Sequence, residues 1–315
     1  MLDRRDLGLG LGAAFAAGPA FARNHTTASP PVPDDASVRA RRDVGARMTI
    51  AVKLGEAGPF QFVVDTGADI SVIASEIADA LDLPPGREVR VHGLTGAELV
   101  RTVKAPPLGL GSLTLATRDL PAMPRERIGG DGLLGMDVLK NNRLVLDFRN
   151  HRMEIRGASS QPLATLDPGF VAVPADDRYG RLTVIRAVAN TVAAKAFVDS
   201  GATMSIANPA LARAMQAKRR WTEDTPMVEV AGVTDHVISG EGRVVSRLQL
   251  GALTFNNVPV VVADLHLFQR WNLGAKPAIL LGIDVLRLFA RVELDYGRRR
   301  MLFRTGGAPA PELLA

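Results

Sequence analysis

Phe62-Val63-Val64-Asp65-Thr66-Gly67-Ala68-Asp69 is an apolar run that ends in Asp-Thr-Gly. It recurs 134 residues further on as Ala196-Phe197-Val198-Asp199-Ser200-Gly201-Ala202-Thr203. One Asp-Thr-Gly is a weak signal, because loops are rich in all three residue types. Two copies, each closing a strand-like run, place the same local structure in each half of the chain. Other landmarks repeat in the same order. Val89-Arg90-Val91-His92-Gly93-Leu94 is matched by Val228-Glu229-Val230-Ala231-Gly232-Val233. Leu133-Leu134-Gly135-Met136-Asp137 is matched by Leu280-Leu281-Gly282-Ile283-Asp284. Each half then closes with a hairpin pattern, Arg143–Phe148 with Arg152–Arg156 and Val292–Gly297 with Met301–Arg304. From Asp65 to Gly135 is 70 residues and from Asp199 to Gly282 is 83, so the second half carries an insertion, placed around Leu265–Trp271. This is an internal duplication.

Short alternating β-rich runs separated by Gly and Pro turns predict a mainly β chain with a few short helices. Asn208-Pro209 reads as a cap and a first-turn proline opening one of them. The expected organisation is a signal peptide over 1–22, a flexible leader over 23–45, a first lobe over 46–157, a linker over 158–169, a second lobe over 170–304 and a tail over 305–315. Asp3-Arg4-Arg5-Asp6 precedes an apolar Gly/Ala-rich run that ends in Ala20-Phe21-Ala22, a small-x-small cleavage pattern. The paired arginines resemble a twin-arginine export signal, so an exported, bacterial periplasmic location is expected. No membrane span is expected in the mature chain, because the apolar run is too short.

The 315 residues suffice for two lobes, and a hydrophobic share of 47% suits real cores. The net charge of +5 comes from scattered basic residues without an aromatic-studded basic motif, which argues against nucleic acid. The absence of cysteine excludes disulfides, thiol catalysis and zinc ribbons. His25, His92, His151, His236 and His266 show no metal-ligand spacing and are expected at the surface or at hairpin tips. No Gly-x-Ser-x-Gly and no phosphate-binding Gly loop is present. No metal and no cofactor is implied. Phe268 and Trp271 are open between lining a specificity pocket and packing a core.

Two Asp loops meeting at a pseudo-two-fold axis set two carboxyl groups side by side. Close carboxylates cannot both ionise cheaply, so they share a proton and titrate as a pair. One can take a proton from a water held between them while the other donates to a substrate carbonyl. The paired motifs resemble those of pepsin- and retropepsin-like aspartic proteases, and are similar above all to bacterial retropepsin-like proteins with both lobes in one chain. The resemblance spans about residues 47–304. It implies a two-lobed acid-protease fold and hydrolysis of peptide bonds, with a peptide or protein as substrate. The alternative is a peptide-binding protein on the same scaffold without turnover.

By that resemblance Asp65 and Asp199 are the catalytic pair. Thr66 and Ser200 cross-bond the two loops, Gly67 and Gly201 let them turn, and Gly135 and Gly282 belong to the apolar-apolar-Gly element that supports them. Asp69 stands where retroviral enzymes hold substrate backbone, with Thr203 in the other half. Gly93, Thr95, Gly232 and Thr234 lie on candidate flap tips that contact substrate. Residues 47–157 contain no Tyr, unlike a pepsin flap. One chain carries both halves, so a monomer can suffice.

Overall fold

Val63 and Val64 are sealed on both faces, which is why the run is apolar without alternation. A computed structural model describes residues 35–42, 47–116, 118–140, 142–157, 169–176, 183–216 and 226–305. The expected signal peptide, the first part of the leader, the linker up to residue 168, the tail from 306 and Lys218-Arg219-Arg220 lie outside the described residues. In the first half, Ala57–Val64 pairs antiparallel with Met48–Leu54, Ile50 opposite Phe62. On its other side it pairs parallel with Gly132–Leu134, Leu133 opposite Val63. Val72–Ala74 runs antiparallel to the outer edge of that strand.

The second half builds the same unit from Thr183–Ala189, Val192–Val198, Ala278–Leu281 and Ile206–Ala207. Leu280 lies parallel and opposite Phe197, and Ile206 lies antiparallel and opposite Leu280. Phe62 and Phe197 are 0% and 1% exposed but one residue out of step: Phe62 matches Ala196 and Phe197 matches Val63, so the large ring packs on opposite faces of the strand in the two lobes. Burying a side chain of that size contributes roughly 1.5–3 kcal/mol. The duplicated pattern is thus a duplicated two-lobed, mainly β fold.

Six strands join the lobes. Their order is Asp35–Arg42, Arg152–Gly157, Asn142–Asp147, Arg291–Asp295, Arg300–Arg304 and Phe170–Asp176, all antiparallel. The central pair crosses from one lobe to the other, with Arg143 opposite Asp295 and Asp147 opposite Arg291. Arg143 also forms an ion pair with buried Asp295 at 3.4 Å, and Arg298 and Arg300 lie on the same carboxylate. A carboxylate so enclosed persists because it is paired.

The leader needs revision here. Residues 35–42 are not a flexible stretch but the edge strand of this sheet, and they also pair with Met48–Leu54. They occupy the place that Phe170–Asp176 holds for the second lobe. The alternating Ala36, Val38 and Ala40 are small or short, so the strand pattern is faint beside the proline-rich stretch that precedes it.

At the place expected for the insertion both lobes have a short helix, Arg125–Ile128 and His266–Arg270, and the second lobe adds the turn that follows its helix. Phe268 is fully buried and Trp271 stacks on Phe197 with centroids 4.7 Å apart. Neither lines the cleft, so both serve packing. Asn208 caps Pro209–Gln216 by accepting the Leu211 amide at 2.9 Å, and its amide group donates to Leu273 and Lys276 carbonyls. The cap therefore also anchors the insertion. Among the described residues no helix is long and apolar enough to cross a membrane.

Candidate active site

The two Asp loops enter in the same way. The Asp65 amide donates to the Leu134 carbonyl and the Asp199 amide to the Leu281 carbonyl, both at 3.0 Å. Each chain then turns over a small residue. The Gly67 and Ala68 amides donate to Asp65 Oδ1 at 2.7 and 2.9 Å. The Gly201 and Ala202 amides donate to Asp199 Oδ1 at 2.9 and 3.3 Å. Backbone donors thus fix the orientation of each carboxyl group.

Each carboxyl lies on the other loop's glycine. A Cβ on Gly67 would stand 2.2 Å from Asp199 Oδ2, and one on Gly201 would stand 2.3 Å from Asp65 Cγ. Only glycine lets the two loops approach this closely. Four hydroxyl-mediated bonds hold them. The Thr66 hydroxyl donates to the Val198 carbonyl at 3.1 Å and accepts the Ser200 amide at 3.0 Å. The Ser200 hydroxyl donates to the Val64 carbonyl at 2.7 Å and accepts the Thr66 amide at 3.2 Å. Both side chains are fully buried, so these bonds are protected from water.

Below the loops lies a second symmetric device that the sequence reading missed. The Gly135 amide donates to Ser71 Oγ at 3.0 Å, and Ser71 Oγ donates to Asp137 Oδ1 at 2.8 Å. The Gly282 amide donates to Ser205 Oγ at 3.1 Å, and Ser205 Oγ donates to Asp284 Oδ1 at 2.8 Å. A Cβ on Gly135 or Gly282 would meet the backbone of Ile70 or Met204 at 2.6 Å. A signal was present: each serine stands six residues after its Asp, and each carboxylate two residues after its glycine.

The two carboxyl groups face a cavity of about 790 Å³ between the lobes. Its apolar walls include Val72, Val91 and Leu133 from one lobe and Ile206, Val230 and Leu267 from the other. Asp69 and Thr203 are exposed and stand at equivalent places on its rim. The hairpins Pro85–His92/Ala97–Ala105 and Met227–Ala231/Val237–Leu250 form its roof. Gly93, Gly232 and Thr234 line the cavity, while Thr95 is directed into the junction between the tips. There its hydroxyl donates to the His236 carbonyl at 2.6 Å and lies 3.5 Å from Thr234 Oγ1. Both threonines are buried, so they tie tip to tip.

That fold and that loop geometry agree with a sequence comparison. The aspartyl protease family model matches residues 50–138 and 185–285, together more than half of the chain. The chain belongs to the aspartyl protease family. Among curated proteins, none matches it. The two matched segments of this aspartyl protease family member contain the two Asp loops and the two apolar-apolar-Gly elements, one set per lobe.

Two further contacts cross between the lobes. Arg47 donates to the Ile128 carbonyl at 3.0 Å and reaches the Gly201 carbonyl at 3.5 Å, linking the entry of the first lobe to the second Asp loop. His92, expected at a hairpin surface, is instead half-buried against His266 across the cleft. Their ring nitrogens lie 2.9 Å apart with the rings 1° from parallel, and Arg270 Nη1 lies 3.2 Å from His92 Nε2. Since the guanidinium only donates, His92 Nε2 accepts and its Nδ1–H is left to donate to His266. Burial, together with the Arg270, His266 and Arg90 charges, pushes the His92 imidazole below its usual range, against the weaker pull of Asp69. No group of His, Asp and Glu among the described residues is arranged to hold a metal ion.

Proposed function

We propose that this chain is an exported, single-chain aspartic endopeptidase of the retropepsin-like kind, with Asp65 and Asp199 as its catalytic pair. The observation that carries the reading is reciprocal: each carboxyl packs on the glycine of the opposite Asp loop. Two acids so placed hold one water between them. The ionised member takes a proton from that water, and the protonated member gives one to the carbonyl oxygen of the scissile bond. The resulting tetrahedral species collapses as the leaving nitrogen receives a proton. Held loops add the advantage of fixed geometry, since neither carboxyl must be ordered at the moment of reaction.

The substrate is a peptide in extended form, its backbone pairing with the hairpins that roof the cleft. Asp69, Gly93 and Gly232 are the residues placed to meet it. Both halves are in one polypeptide, so a monomer suffices for catalysis. The paired arginines and the small-x-small pattern support export to the periplasm.

The test is Asp65→Asn and Asp199→Asn, each assayed on a broad peptide library with circular dichroism as a folding control. Each variant is expected to lose at least about 10²-fold in kcat/KM, the scale of positioned acid–base catalysis. Undiminished cleavage by either variant removes it from the pair. Library binding without any cleavage by the wild type would favour a peptide-binding role instead.

A further inference from the structure

We propose that the cleft is charge-polarised: it takes peptides whose apolar scissile pair is flanked by an acidic residue on one side and a basic residue on the other, in one order only. The inference rests on the peptidase reading and names the substrate class of that same site.

It begins from a broken symmetry. Arg90 and Glu229 occupy equivalent places on the two hairpins, each preceding the inward valine, Val91 or Val230, that lines the cavity. The pseudo-two-fold axis runs between the Asp loops, so these opposite charges stand on opposite sides of the scissile position. The short helices reinforce them. His266–Arg270 of the second lobe brings Arg270 to the first hairpin, where it meets His92 at 3.2 Å. Arg125–Ile128 of the first lobe brings Glu126 to the rim on the other side. That helix is tied to the second hairpin through Arg127, which pairs with Glu98 at 3.1 Å, while Glu98 also accepts the Asp235 amide. Each end of the cleft is thus a hairpin of one lobe and a helix of the other, and each end has its own sign.

The remaining charges do not reverse this. At the basic end Asp69 opposes Arg90 and Arg270, with His92 and His266 packed between them. At the acidic end Glu126, Glu229 and Asp235 are opposed by Arg47, which is engaged with backbone carbonyls, while Arg127 and Glu98 offset each other. Arg90, Glu126 and Glu229 have no ion-pair partner among the described residues. Like charges gathered at each end repel within the free protein, and a complementary peptide relieves that repulsion at both ends. The apolar walls between them select the residues at the centre.

The experiment uses two peptides of identical composition. One carries Glu on the N-terminal side of an apolar scissile pair and Arg on the C-terminal side; the other exchanges them. The wild type is expected to prefer one order by at least about fivefold in kcat/KM, the scale of two rim ion pairs, with the preference shrinking near 1 M salt. The double variant Arg90→Glu/Glu229→Arg is expected to reverse the preferred order while keeping its melting temperature. Cleavage of both peptides at equal rate overturns the inference and leaves the peptidase reading standing. If neither peptide is cleaved, the peptidase reading fails, and anisotropy of the labelled peptides decides the inference separately: unequal affinities support it, while equal affinities or no binding overturn it.

Discussion

The carboxylates under the two Asp loops do the same job in different company. Asp137 holds Ser71 beneath the first loop and is itself met by Arg118 at 2.6 Å. Asp284 holds Ser205 beneath the second loop, yet the strand position equivalent to Arg118 is buried Val258. Val260, Val261 and Pro259 border an apolar recess of about 390 Å³ beside Asp284. Burial raises the Asp284 carboxyl above its usual range, against the hydrogen bonds from Ser205 and Val285 and the Arg287 charge. The lesson is that the fold requires the serine–carboxylate–glycine chain of bonds but not its counter-ion. Geometry at the loops is duplicated strictly, and electrostatics around it is free to diverge.

The strict part breaks hardest. Gly67→Ala and Gly201→Ala each force a methyl group into the facing carboxyl, and each is expected to lower kcat/KM by 10²-fold or more through misplacement alone. Steady-state kinetics on both variants checks the symmetry; a large loss in only one would show that the loops are not equivalent. Next come Thr66→Val and Ser200→Ala, which each remove two buried cross-lobe hydrogen bonds. Urea unfolding is expected to show similar losses of about 2–4 kcal/mol for each.

Much of this strict geometry was legible, because it is written as residue identity at fixed spacing. Asp-Thr/Ser-Gly and apolar-apolar-Gly name the loops directly, and their repetition named the two-lobed fold. What escaped notice was of two kinds. Asp35–Arg42 alternates only the small or short Ala36, Val38 and Ala40 with polar residues, a weak signal next to the proline-rich stretch before it. Thr95 meets Thr234 because the two hairpin tips lean together, and His92 meets His266 because the second lobe's helix reaches the first hairpin; no local pattern reports a contact between residues 139 or 174 positions apart.

The divergent part yields smaller and pH-dependent effects. Asp137→Asn leaves Arg118 without its carboxylate and is expected to cost about 1 kcal/mol at neutral pH, discounted for partial exposure. Asp284→Asn should behave otherwise. The folded carboxyl binds its proton more tightly than the unfolded one, so its favourable contribution is complete below the ordinary value of 3.8 and is lost as pH rises through the raised folded value. The variant is therefore expected to gain on the wild type as pH rises through that window. Urea titrations at a series of pH values check this, and a constant difference would contradict it.

The smallest effect belongs to the His92 contact. A depressed imidazole contributes stability above its ordinary value of 6.5 and loses it as pH falls below that value toward the lowered one. The protection of amides in the first hairpin, hydrogen-exchange rates being corrected for the intrinsic pH dependence, is expected to fall as pH drops through this range, and His92→Gln to flatten that response. An unchanged pH profile in the variant would assign the response elsewhere.

The threonines that join the hairpin tips set a rule of admission. With the roof fastened above the two carboxyl groups, a chain reaches them only by threading from an end or by waiting for the tips to part. Loops held at both ends by a folded domain fit neither route well, whereas slack, unstructured polypeptide fits both. On the proposed peptidase reading, the fastened roof selects proteins that have already lost their shape.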